Sequence, residues 1–193
     1  MMKKFLILLT FFALGSCGNQ PVNKQSQPAT TAQAPAKATY RDNVSLVSGV
    51  TPAAGKAASD FSWYDSQGKT VSLSALKGKT VLVNFWATWC GPCKAELPDL
   101  ESISKEYASK GLVVVGVSED RGDGLVHDVS DFASKNGLTY QIVVDNDDIA
   151  NAFGNINAIP TSFLVNKDGQ IVEKWIGVRD KAFFESTVKK YLD

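Results

Sequence analysis

The pattern of hydrophobic and polar positions changes near residue 55. Beyond that point, continuous apolar runs over residues 79–86 and 112–117 predict strands that are buried on both faces. Between them, residues 90–110 carry apolar side chains at helical spacing, and Gly111 ends that pattern. The two runs therefore predict neighbouring central strands joined by an amphipathic helix.

The rest of the globular part continues the alternation of strands and helices. Further strands are predicted at residues 140–144, 161–165 and 170–175, further helices at 125–136, 147–153 and 181–192, and a hairpin at 61–64 and 71–73. This order predicts an α/β fold with a central mixed β-sheet and helices on both faces.

The N-terminal segment resembles an export signal. Lys3 and Lys4 precede an apolar run over residues 5–14, which is shorter than the about 20 residues of a membrane-spanning helix. We predict a signal peptide over residues 1–16. Leu14-Gly-Ser-Cys17 resembles a bacterial lipobox, which implies that Cys17 is lipidated and becomes the mature N-terminus. An ordinary signal peptide with an incidental cysteine is the alternative.

A polar segment follows the signal. Residues 17–54 are rich in Gln, Asn, Ser, Thr, Ala and Pro, and we predict that they form a lipidated flexible tether. The globular domain is then predicted over residues 55–193, on the periplasmic or extracytoplasmic face of a membrane. Residues 44–50 are mildly apolar, and docking of this stretch onto the domain remains open.

Charge balance and cysteine number narrow the range of functions that the chain can have. Twenty basic residues balance twenty acidic ones, so the chain lacks the basic excess that is typical of nucleic-acid partners, and we expect none. If Cys17 carries lipid, only Cys90 and Cys93 remain. A close-spaced pair in an exported chain is more typical of redox chemistry than of structural cross-linking.

The position of this pair supports redox chemistry. Cys90 follows a predicted buried strand and begins a helix, where free backbone N–H groups and the helix dipole favour a thiolate. The spacing places Cys93 one turn deeper on the same helix face, so we expect Cys90 to attack and Cys93 to resolve. A zinc site would need more ligands than these two thiols and His127. We therefore expect no metal and no cofactor beyond the cysteine pair.

The surrounding segment resembles a known family. Asn84-Phe-Trp-Ala-Thr-Trp-Cys-Gly-Pro-Cys-Lys94 resembles the active site of thioredoxin, and residues 78–98 resemble the TlpA/ResA type of extracytoplasmic thiol–disulfide oxidoreductase. The resemblance covers residues 55–193. It implies a thioredoxin fold with an N-terminal hairpin and an extra helix–strand insertion at about residues 125–144.

A second motif extends the resemblance. Ala158-Ile-Pro-Thr161 is similar to the family's other hallmark, which implies a cis bond before Pro160 that faces the cysteine pair. The backbone of Ile159 is then expected to pair with a substrate peptide by strand addition.

Further substrate contacts are expected beside the cysteines. Trp89 is predicted to form an exposed apolar lip for the partner, together with Gly91 and Pro92. Partial packing in the core is the alternative for Trp89.

One position departs from thioredoxin. Asn84 stands where thioredoxin has a buried Asp that accepts a proton from the deeper thiol. Glu96 matches an active-site Glu of the ResA type, and our hypothesis gives it the proton role with a pKa raised by partial burial. A solvated helix Glu is the alternative.

The resemblance predicts a monomeric enzyme that reduces disulfides in exported proteins. It draws electrons from a membrane thiol-transfer protein of the DsbD/CcdA type, and an apocytochrome c in cytochrome c maturation is a candidate substrate. A disulfide-forming oxidant with the same site and a Sco-like copper-binding assembly factor are the alternatives. A peroxidase is not favoured, because Val83 and Ala87 occupy the places of the peroxiredoxin Pro and Thr.

Overall fold

The computed structural model describes residues 40–192. Its nine strands are β1 Tyr40–Arg41, β2 Val44–Thr51, β3 Asp60–Tyr64, β4 Thr70–Ser72, β5 Thr80–Trp86, β6 Leu112–Ser118, β7 Gln141–Val144, β8 Thr161–Val165 and β9 Ile171–Ile176. Its four α-helices are α1 Gly91–Tyr107, α2 Leu125–Lys135, α3 Asp148–Ala152 and α4 Lys181–Val188. The predicted signal peptide, the predicted lipidation at Cys17 and the tether up to residue 39 lie outside the described residues.

All nine strands belong to one mixed sheet. The strand order is β4-β3-β2-β7-β6-β5-β8-β9, and β1 pairs with β2. The strands β2, β7, β6 and β5 run parallel, whereas β8 runs antiparallel to β5 and β9 runs antiparallel to β8 at the sheet edge. The β3–β4 pair is the predicted hairpin, and α2 with β7 forms the predicted insertion. The predicted mixed sheet is confirmed.

Helices cover both faces of the sheet, and the alternation along β5 explains how. Every residue of β5 is buried. Leu82 and Trp86 pack in the core beneath α1, α2 and α4, whereas Val83 and Phe85 pack in the core on the side of α3. Because side chains alternate along a strand, Asn84 points toward the α1 face, among apolar neighbours.

The predicted domain boundary at residue 55 is wrong, because the sheet begins earlier. The strand β2 lies between β3 and β7 and pairs with both. Val44 is fully buried in the core, and Leu46 packs against it. The mild apolar pattern of residues 44–50 therefore belongs to a partly buried strand.

We find no helix within residues 40–192 that has the length and apolar character needed to cross a membrane.

Candidate active site

The cysteine pair lies where the central strand β5 gives way to α1. Cys90 is the N-cap residue of this helix, and Cys90 and Cys93 are joined in a disulfide. The backbone N–H of Cys93 donates to Cys90 Sγ over 3.2 Å. In the reduced protein, this N–H and the helix dipole stabilise negative charge on the Cys90 sulfur.

The two sulfurs differ in access. Cys93 is fully buried, whereas Cys90 keeps 5% of its surface exposed. Gly91 and Pro92, which separate them in the chain, are both exposed at the start of α1. An incoming disulfide therefore reaches Cys90 first, and the buried Cys93 is placed to attack Cys90 afterwards.

The loop before β8 faces the accessible cysteine. The peptide bond between Ile159 and Pro160 is cis, in the conformation that the resemblance implied. The carbonyl oxygen of Ile159 lies 3.9 Å from Cys90 Sγ. Pro160 is buried and Ile159 is half-buried, so the loop presents its backbone at the mouth of the site.

Trp89 forms an exposed wall beside Cys90. Its side chain is 67% exposed, the largest exposed fraction among the large hydrophobic residues that the structure describes. The preceding residue is held in place by Asp120, whose carboxylate accepts hydrogen bonds from the backbone N–H and the hydroxyl of Thr88. Trp89 is therefore carried on a fixed loop, with its ring in solvent as predicted.

Glu96 is buried one helical turn beyond Cys93, and only 1% of its surface is exposed. Asn84 Nδ2 donates to Glu96 Oε1 over 2.8 Å, and the backbone N–H of Arg179 donates to Oε2 over 3.1 Å. The same Asn84 nitrogen donates to the hydroxyl of Ser162 over 2.9 Å. Glu96 is thus a buried carboxyl held by two donors, and the alternative of a solvated helix Glu is wrong.

Burial dominates the acidity of Glu96. Desolvation raises its pKa to about 7, against the opposing effect of the hydrogen bonds from Arg179 and Asn84. A carboxyl with this pKa exchanges a proton readily near neutral pH. The site therefore contains a buried carboxyl, one helical turn after Cys93, that can hold or release a proton near neutral pH.

Sequence reasoning missed the groups that position these residues. Ser162 stands opposite Asn84 in the β5–β8 pairing, and a pairing register across a distant crossover is not encoded locally. The backbone N–H of Arg179 and the carboxylate of Asp120 also escaped notice. Among residues 40–192, no three His, Cys, Asp or Glu side chains converge as metal ligands.

Comparison with known proteins agrees with this geometry. Residues 54–174 match the AhpC/TSA family. The thiol-disulfide oxidoreductase ResA of Bacillus anthracis is 37% identical over 137 residues, which cover 70% of this chain and 77% of ResA.

Two solved structures extend the comparison. A thiol:disulfide interchange protein of the thioredoxin family from Chlorobium tepidum TLS superposes with a TM-score of 0.65 at 34% identity, covering 73% of this chain and 99% of that one. The exposed lipoprotein thioredoxin of Streptococcus pneumoniae strain TIGR4 superposes with a TM-score of 0.56 at 32% identity, covering 68% and 98%. This chain belongs to the AhpC/TSA family, as a thioredoxin-fold, ResA-type thiol–disulfide oxidoreductase.

Proposed function

We propose that this oxidoreductase works as a reductant of disulfides in exported proteins. The observation that carries the proposal is the position of Cys90, which is the one accessible sulfur of the pair and lies between Trp89 and the backbone of Ile159. A peptide that pairs with the Ile159 backbone brings its own disulfide to this sulfur. The buried Cys93 is then within reach of the resulting mixed disulfide.

The exchange proceeds in two steps. The Cys90 thiolate attacks one sulfur of the substrate disulfide, a Cys90–substrate bond forms, and the other substrate sulfur leaves as a thiolate. Cys93 then loses its proton to the carboxylate of Glu96 and attacks Cys90. The substrate leaves with both sulfurs reduced, and the two electrons it gained come from the cysteine pair, which closes into the observed disulfide.

Two groups that hydrogen-bond to Glu96 support its role as proton acceptor. Asn84 fixes the direction of the carboxylate from β5, and the Arg179 N–H fixes it from the loop after β9. Because Asn84 is an amide, it cannot take the proton itself. Burial raises the pKa of Glu96 to about 7, so this carboxylate accepts a proton more readily than an ordinary Glu carboxylate does.

The direction of electron flow is supported by the residues between the cysteines. Gly91 and Pro92 are the dipeptide of thioredoxin, whose reduction potential is about −270 mV, whereas the oxidant DsbA lies near −120 mV. A reductant of this kind is regenerated by a second dithiol, and we propose a membrane thiol-transfer protein of the DsbD/CcdA type as the donor.

The proposal extends to the location of the enzyme and to its substrate. The lipobox-like Cys17 and the similarity to an exposed lipoprotein thioredoxin support a lipid anchor on the extracytoplasmic face. We propose an apocytochrome c, with its oxidised haem-binding cysteines, as the substrate, which is the substrate that the TlpA/ResA resemblance implies.

The reduction potential of the Cys90–Cys93 pair tests the direction. Equilibration with dithiothreitol or glutathione buffers is expected to give a value near or below about −270 mV. A value near −120 mV would contradict the proposal and make the enzyme a disulfide-forming oxidant with the same site.

Trapping tests the order of attack and the class of substrate. A Cys93→Ser variant retains the attacking thiol but cannot resolve, so mixed disulfides on Cys90 are expected to accumulate in the producing cell. Mass spectrometry of the trapped partners should identify exported proteins with cysteine pairs, apocytochrome c among them. A Cys90→Ser variant is the matched control and should trap none; equal trapping by both variants contradicts the assigned order.

Replacement of Glu96 by Gln tests the proton role. We expect Glu96→Gln to slow substrate reduction by about tenfold or more. The wild-type rate should rise with pH through about 7 as Glu96 ionises, and the variant should lack that rise. Glu106→Gln, an exposed carboxyl change on the same helix, is the control and should leave the rate unchanged. An unchanged rate and pH profile in Glu96→Gln would end the assignment.

Stability gives a second readout for the same variant. The folded state raises the pKa of Glu96 from 4.5 to about 7, so the folded protein binds this proton more tightly than the unfolded chain. Its free energy of unfolding therefore falls as pH rises from about 4.5 to about 7, by on the order of 2–3 kcal/mol. Glu96→Gln should lose that part of the pH dependence in urea titrations.

The lipid anchor is tested by fractionation. The wild-type protein is expected in the membrane fraction, and Cys17→Ser should lose that association because the acylated residue is gone. Cys90→Ser should remain with the membrane. Unchanged membrane association of Cys17→Ser would refute lipidation at this residue.

A further inference from the structure

A groove opens beside the catalytic cysteine, between Trp89 and the cis-proline loop. It has a volume of about 240 Å³ and is lined by Trp89, Glu119, Arg121 and residues 156–159. Trp89 precedes Cys90 in the chain, and the carbonyl of Ile159 lies 3.9 Å from Cys90 Sγ, so the groove lies near the reacting sulfur. A peptide bound along the Ile159 backbone must place the residues next to its cysteine in or beside this groove.

The groove is lined by the carboxylate of Glu119, and only one of its two oxygens has a hydrogen-bond partner among residues 40–192. Glu119 follows the last residue of β6, and its backbone N–H donates to the carbonyl of Trp86 over 2.8 Å. Its side chain is 13% exposed, and Oε2 accepts a hydrogen bond from Arg121 Nη2 over 2.9 Å. The other oxygen, Oε1, is buried and has no hydrogen-bond partner within residues 40–192. A buried carboxylate oxygen without a donor is unfavourable until a donor arrives.

The charges around this carboxylate favour the binding of a further cation. Arg121 is shared between Glu119 and Asp147, and Asp145 lies close enough to raise the pKa of Glu119 further. Asp120 follows directly in the chain. Arg121 thus pairs with two carboxylates, Glu119 and Asp147. Burial, with smaller effects from Asp145 and Asp147, raises the pKa of Glu119 to about 7.

The neighbouring acidic groups are engaged elsewhere, which singles out Glu119. Asp145 accepts hydrogen bonds from the backbone N–H groups of Ile149 and Ala150 at the start of α3. Asp120 accepts from Thr88 and Ser118. These carboxylates hold loops in place and do not converge with Glu119 as metal ligands, so the groove suits a side-chain cation rather than a bound ion.

We propose that Glu119 binds a lysine or arginine side chain of the substrate that lies within three residues of the cysteine attacked by Cys90. The cationic head pairs with the Glu119 carboxylate, and the aliphatic stem packs on the exposed ring of Trp89. Glu119 is thereby a specificity-determining residue, and the preferred substrates of this enzyme carry a basic residue beside the reactive disulfide. This inference rests on the proposed disulfide exchange at Cys90.

Matched peptides test the inference. Short disulfide-containing peptides carry Lys at one position within three residues of the cysteine, with Gln at the other positions, and are compared with an all-Gln peptide. The reduced wild-type enzyme should show a kcat/KM about three- to tenfold higher for at least one Lys peptide at low salt. The advantage should shrink in 0.5 M salt, because exposed ion pairs are screened.

A variant with nearly the same shape assigns the effect. Glu119→Gln keeps an oxygen that can accept from Arg121, so the fold is expected to persist, and its thermal midpoint is measured alongside. The Lys preference, taken as the ratio of kcat/KM for the Lys peptide to kcat/KM for the all-Gln peptide, should fall to within twofold of unity. Asp168→Asn removes the same charge from the exposed β8–β9 turn and should retain the preference.

The outcomes separate this inference from the proposed function. A wild-type enzyme that reduces all peptides equally, or a preference that survives in Glu119→Gln, overturns the role of Glu119 and leaves the reductase intact. An enzyme that reduces no disulfide but oxidises dithiol peptides overturns the direction of the reaction. The same Lys comparison is then made on the dithiol peptides and decides the role of Glu119 independently.

Discussion

The hydrogen bond between Asn84 and Glu96 is the interaction on which the site depends, because it joins the central strand to the catalytic helix inside the core. A carboxyl that is 1% exposed is stable in such a place only if donors surround it or if it keeps its proton. Here both conditions are partly met. Asn84 and the Arg179 N–H serve as donors, and burial raises the pKa to about 7, so one group links α1 to the sheet and can change its charge near neutral pH.

Two carboxyls near the cysteine pair share one physical feature. Glu96 is buried in the core one helical turn after Cys93, and Glu119 lines the groove beside Trp89. Burial is the largest influence on both carboxyls, and each has its pKa raised to about 7. Their hydrogen bonds differ. Glu96 has both oxygens bonded from within the chain, whereas Glu119 has one oxygen without a hydrogen-bond partner among residues 40–192.

The sequence predicts most of the chemistry because the chemistry is local. The run of apolar residues in β5, the helix start and the two cysteines lie within about fifteen positions, so strand, N-cap and thiolate can be inferred together. Ser162, Asp120 and Glu119 could not be inferred in the same way. Their roles come from the pairing of β5 with β8 and β6, which brings together segments far apart in the chain. The strand β2 was missed because its apolar positions are few and its partner β7 is distant.

The position of β2 in the sheet shortens the stretch of chain that lies between Cys17 and the domain. If Cys17 is the anchor, only the 22 residues from 18 to 39 lie between the lipid and the first described strand, instead of the 37 residues from 18 to 54. Covalent geometry limits a fully extended stretch to about 3.5 Å per residue, so the span shrinks from about 130 Å to about 80 Å. With Cys17 as the anchor, the domain would be confined to a thin layer above the membrane. The proposed donor dithiol in that membrane would lie within its range, and substrates would be met close to the membrane surface.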